Sequence, residues 1–176
     1  EKAPAQRLAK QRNKLKLGRF WPVWSAQRMG VAAYLCGPVI EGEAGRRLAY
    51  CPDFLEKAAH SASDFLDLDL CLLEQACAAA EKETSAAIGV CVHASTMQNR
   101  RSRTIYLEHL AANASPVQQR MFVTIAEIPP GTPLMSLTEW TRGLKRFFPR
   151  VALELHGGDR AIGAAGCGVL SRLGGF

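Results

Sequence analysis

Four stretches of this 176-residue chain place polar or small residues where apolar runs end: Leu35 to Gly37, His93 to Ser95, Thr124 to Glu127 and Glu154 to Gly158. If the runs are parallel strands, ligands gather at their C-terminal ends, so these residues are the ones to question. His93 and Glu154 have the types of a general base and the carboxylate that orients it. No nucleophile or metal set accompanies them, and a polar pair filling a disused pocket is the preferred reading. Cys91 alternates onto the side of His93, yet it lies inside a strand, where a thiol packs as a small hydrophobe. His156-Gly157-Gly158-Asp159 shares two glycines with phosphate-cradling loops but lacks the fuller Gly-x-x-x-x-Gly-Lys pattern. Arg100-Arg101-Ser102-Arg103 has the charge to grip an anion, although a solvated helix start accounts for it as well.

The elements that must position these groups follow from periodicity. Phe20 to Trp24 and Ala32 to Ile40, with Gly30 between them, read as two extended segments joined by a short turn, and Pro22 sends the first to an edge. Residues 41–52, with Gly42, Gly45 and Pro52 among charges, read as a surface loop. Leu66, Leu70, Leu73, Cys77 and Ala80 recur at steps of four and three, so the spacing predicts one long helix over 63–83. Beyond it, apolar runs at 87–92, 121–125 and 151–155 alternate with helical patterns at 102–112 and 136–147. Ser136 and Glu139 have capping-box spacing, and Pro149 is a stop for the last helix. Strand and helix in alternation predict parallel βαβ units and an α/β fold.

Charge and cysteines narrow the function classes. Residues 1–30 carry eight Lys or Arg against Glu1 alone, while the remaining residues are close to neutral. The basicity therefore belongs to an N-terminal arm, of which residues 1–16 are expected to form a basic linker helix. Such an arm can be steered toward phosphates or an anionic membrane surface. No aromatic side chain interleaves the charges before Phe20, which speaks against single-strand nucleic-acid binding. No apolar stretch has the length of a bilayer span. Six cysteines stand without a C-x-x-C pair, which suits packed thiols in a reducing cytoplasm.

In order and spacing the chain resembles the EAL domains, bacterial phosphodiesterases of cyclic di-GMP built as modified TIM barrels. Phe20-Trp21-Pro22-Val23 is similar to the family's Y-Q-P-I strand, and Val31 to Leu35 falls where E-A-L itself would lie. Leu68-Asp69-Leu70 to Ala76 resembles L-D-x-W-V-L-x-Q-A. Val90 to Ser95 resembles V-S-V-N-L-S, Phe122 to Glu127 resembles L-x-E-I-T-E, and Val151 to Gly157 resembles I-A-L-D-D-F-G. The resemblance covers residues 17–176 and implies an α/β, EAL-type modified TIM barrel, incomplete in this chain because such barrels take about 250 residues.

The resemblance also implies where the chemistry would sit. The family's metal ligands fall on Ala33, His93, Thr124, Glu154 and Leu155, with Glu127 beside them, and its nucleotide-contacting arginine falls on Gly37. A Mg²⁺-type ion wants several oxygen ligands, and two of these positions are hydrocarbon. The expectation is a degenerate, non-catalytic member with a vestigial pocket at Ala33, His93, Thr124, Glu127, Glu154 and Leu155, and with no cofactor or metal. It would act through a protein partner. An unclosed sheet further predicts a homodimer or larger assembly through residues around 154–176. Binding of cyclic di-GMP without hydrolysis ranks second, and nucleic-acid binding through the basic arm third.

Overall fold

The computed structural model describes residues 17–41, 47–49, 62–83 and 85–155. The expected linker helix at 1–16, the loop at His156 to Asp159 and the assembly segment beyond Leu155 lie outside the described residues. Strand β1 (Leu17–Ser25) turns through 26–29 into β2 (Gly30–Glu41), and the two pair antiparallel. A short β3 (Arg47–Ala49) pairs with the end of β2, where the sequence suggested only loop. Helix α1 (Ala62–Lys82) leads to β4 (Ala87–His93), followed by α2 (Ala94–Gln98) and α3 (Arg100–Ala112). A 3₁₀ turn (Pro116–Arg120) enters β5 (Phe122–Ile128). Helix α4 (Leu134–Leu144) then leads to β6 (Arg150–Leu155).

The strand order is β1-β2-β4-β5-β6, with β2, β4, β5 and β6 mutually parallel. β1 is an edge, as Pro22 required, and among the described strands β6 is the other edge. Because side chains alternate along each strand, Val90, Val92, Val123 and Ile125 project toward the helices, where they join Leu72 and Leu73 of α1, Tyr106 and Leu110 of α3, and Trp140 and Leu144 of α4 in one core. The opposite, inner face carries Gly37, Gly89, Cys91, Phe122 and Thr124. Gly89 is required there, since a Cβ would stand 2.2 Å from the Phe122 ring that lies over it.

Helix α1 buries Leu66, Leu73 and Ala80 of the forecast stripe, leaves Leu70 and Cys77 partly buried, and centres its core face on Leu68, Leu72 and Ala76 beside them. Helix α4 begins two residues before the expected cap. Its N-cap is Pro133, with no side-chain capping bond, and Glu139 instead pairs with Arg103 of α3 at 2.9 Å. A proline with φ of −60° already has the geometry of a helix entrance, so the chain turns there and leaves Ser136 inside the first turn.

Candidate functional site

At the end of β4 the backbone passes directly into α2, and the exposed N–H groups of that turn need an acceptor. Asp69, one turn into the apolar stripe of α1, supplies it. Its Oδ2 accepts from the His93 N–H at 3.0 Å and from the Thr96 hydroxyl at 2.5 Å, while Oδ1 pairs with His93 Nδ1 at 2.5 Å. Asp69, His93 and Thr96 are all fully buried. The Phe65 ring closes one side of the imidazole at a centroid distance of 5.1 Å. Burial alone would lower the His93 pKa, but the Asp69 carboxylate, by charge and hydrogen bond, and Glu127 and Glu154, by charge, raise it overall.

Glu127 owes its position to a break in the β5–β6 register between Ile125 and Ile128. Its backbone is left-handed, φ 56°, an uncommon state for a residue with a Cβ and one typical of a bulge that re-aims a side chain. Glu154 is the penultimate residue of β6. Glu127 and Glu154 lie at the ends of β5 and β6, and the charge of each raises the His93 pKa.

Other expected members of the pocket do not arrive. Ala33 pairs with Ala87, the first residue of β4, six residues before His93 and so about 20 Å from the strand ends. The cause is the length of β2, which starts at the hairpin and runs twelve residues. The β2–β4 ladder ends at Cys36 opposite Val90, and Val39 to Glu41 pair with β3 instead, so Cys36 and not Ala33 is the β2 residue paired furthest along β4. A Cβ at Gly37 would meet the Trp21 indole at 3.5 Å and Cys91 Sγ at 3.8 Å. Thr124 pairs with Cys91, two residues short of the His93 row, and its buried hydroxyl has no hydrogen-bond partner among the described residues. Leu155 continues the β6 backbone opposite Ile128.

The base–orienter pair foreseen as His93 and Glu154 is thus built differently, with Asp69 holding the ring. Sequence reasoning had noticed Asp69 only as part of a resemblance. A stronger signal was available, namely a carboxylate inside an apolar helical stripe, where an unpaired charge is too costly to keep. The thiols fit the packed reading. Cys36 is pushed up to about 12 by burial and then by Cys71, and burial leads the rise at Cys77 as well. Among the described residues no group of three or more His, Cys, Asp or Glu side chains is placed to hold a metal ion. His93 Nδ1 is held by Asp69, as a carboxylate also holds the second nitrogen of many metal-binding histidines, and Thr124 offers a neutral hydroxyl one row back.

Comparison with known proteins rests on structure alone, since no protein-family model and no curated sequence matches the chain. An EAL domain protein from Listeria monocytogenes superposes with a TM-score of 0.63 at 11% identity, over 88% of this chain and 60% of that one. The fold is that of EAL domains. The Bacillus subtilis YkuI protein, solved with c-di-GMP and calcium, gives a TM-score of 0.61 at 15% identity, covering 89% of this chain and 39% of its own. The FimX EAL domain of Xanthomonas citri, solved with c-diGMP, gives 0.55 at 14% identity over 85% and 59%. The chain spans less than two thirds of each of these EAL structures. Among its described residues no helix is long and apolar enough to cross a membrane.

Proposed function

We propose that this chain is a non-catalytic EAL-type domain of a bacterial, cytoplasmic signalling protein and that it works through protein contacts. The observation that carries this reading is the Asp69–His93–Thr96 clamp. The residue at the position of the family's metal-binding asparagine gives its backbone N–H and its Nδ1 to Asp69, which ties α1 to the β4–α2 turn. Asp69, Glu127 and Glu154 around one imidazole also make a poor seat for an anionic dinucleotide unless a cation intervenes.

For protein contact, β6 is an edge among the described strands, and with α4 it forms a groove of about 390 Å³ that includes Leu134, Leu137, Val151 and Leu153. A homodimer through this edge accounts for both the backbone groups and the apolar lining. Sedimentation at tens of micromolar tests it, and a monomer would remove that part of the proposal. The enzymatic part is tested by incubation with cyclic di-GMP and Mn²⁺. Unchanged dinucleotide is expected, and linear product above a chain-free blank would overturn the reading. Calorimetric binding without turnover would instead establish the receptor alternative, for which the two ligand-bound EAL structures are the precedent.

A further inference from the structure

Strand β6 is complementary to its own reverse. Arg150 and Ala152 are registered beside Phe122 and Thr124, so by alternation Arg150, Ala152 and Glu154 share the inner face of the sheet. Val151 and Leu153 take the helix side, where both line the groove beside α4. Two copies of one edge pair about a two-fold axis only antiparallel. Slipping by one residue would set apolar against polar faces, so a residue must lie on that axis. With Ala152 on it, Arg150 stands opposite the partner's Glu154 and Glu154 opposite the partner's Arg150, while Val151 and Leu153 meet across the helix side. With Leu153 on the axis, Glu154 falls opposite the partner's Ala152, and neither charge meets its opposite. With Val151 on it, only three residues of β6 overlap.

From this self-complementarity we infer that β6 is a self-recognition site: a second copy of the chain adds its own β6 antiparallel, centred on Ala152, and one sheet runs through both copies. The inference rests on the reading that this edge carries protein contact, and it fixes which residues meet there. Opposite charges and apolar pairs directly across an antiparallel ladder each favour this register, and like charges across from one another oppose it. The partner's Val151 and Leu153 extend the apolar floor beside Leu134 and Leu137. A foreign strand would satisfy the backbone groups as well. The charge order that matches this edge, however, is the one the edge itself carries.

The test is sedimentation of the 176-residue chain carrying Arg150→Glu or Glu154→Arg, each alone, both in one chain, and the two single variants mixed, with circular dichroism checking each fold. The unsubstituted chain is expected to dimerise at tens of micromolar. Each single variant sets like charges opposite each other on both sides of the axis and should weaken association about tenfold or more. The mixture and the double variant restore both opposite pairs, so dimers should return in each. A dimer indifferent to the charge variants would overturn this register and leave protein contact at the edge standing. Folded single variants that regain no dimer in the mixture or the double variant would overturn it too. A monomer throughout, the edge then being capped within one chain or by another protein, would overturn the inference together with the proposed homodimer.

Discussion

The corner at His93 and the tip of the β1–β2 hairpin at Trp24 both break the rule that charge faces water and hydrocarbon faces the core, and they break it in opposite directions. At the corner a carboxylate and an imidazole are fully buried, yet Asp69 accepts from the His93 backbone N–H and the Thr96 hydroxyl and pairs with His93 Nδ1, so these three groups meet an acceptor. At the tip a tryptophan stands 61% exposed, and its cross-strand partner Val31 is itself in water. Buried polarity is tolerated when it is matched within the fold. Hydrocarbon left in water adds little to the fold. The corner should therefore carry stability and the tip little of it.

The strongest way to break this comparison is Asp69→Ala, which strands three buried donors. A loss of about 3–5 kcal/mol in urea unfolding is expected, as for removal of one partner of a buried pair. A loss below 1 kcal/mol would mean the clamp is ornamental. Asp69→Asn, which still accepts hydrogen bonds but carries no charge, should fall between Asp69→Ala and the unsubstituted protein.

The pH dependence sharpens the same point. Because the folded-state pKa of His93 is raised above its usual 6.5, the stabilisation from its protonation is complete below that value and is lost as pH rises through the folded-state pKa. Urea midpoints should accordingly fall on the alkaline side of 6.5, and His93→Gln should remove that component of the slope. A slope of opposite sign would place a neutral imidazole in the core.

Packing on the inner face comes next in size. Gly89→Ala forces the Phe122 ring aside and should cost about 1–3 kcal/mol, with Phe122→Ala restoring much of it in the double variant. Independent, additive effects would show that the two do not touch. At the tip, Trp24→Ser should change stability by no more than about 0.5 kcal/mol, as exposed sites do. A larger loss would make Trp24 part of the core and erase the contrast.

How much of this was legible varies by element for physical reasons. The hairpin, α1 and the strands β4 to β6 announced themselves because their apolar spacing has one period and clear stops. β3 did not, since three residues flanked by charges carry no period. The start of α4 was misjudged because a proline entrance overrode the Ser136–Glu139 spacing and because Glu139 found Arg103 in another helix. Glu127, Glu154 and His93 were singled out from their place at strand ends, and each does lie at or one residue before the end of its strand. Ala33 was misplaced because a motif match says nothing about how far a hairpin strand runs past its neighbours before the sheet ends. The partner of His93 went unseen because it lies 24 residues away on another element, a pairing that only the assembled fold makes.

The central claim is that His93 is a structural clamp and not a ligand-facing group, and its imidazole resonances report on this directly. With the side-chain nitrogens labelled, Mn²⁺ is titrated in the presence of cyclic di-GMP. The account expects ring signals that keep their width as the metal is added. Paramagnetic broadening of the His93 ring at metal concentrations that spare the other histidines would put a metal beside it and contradict the account.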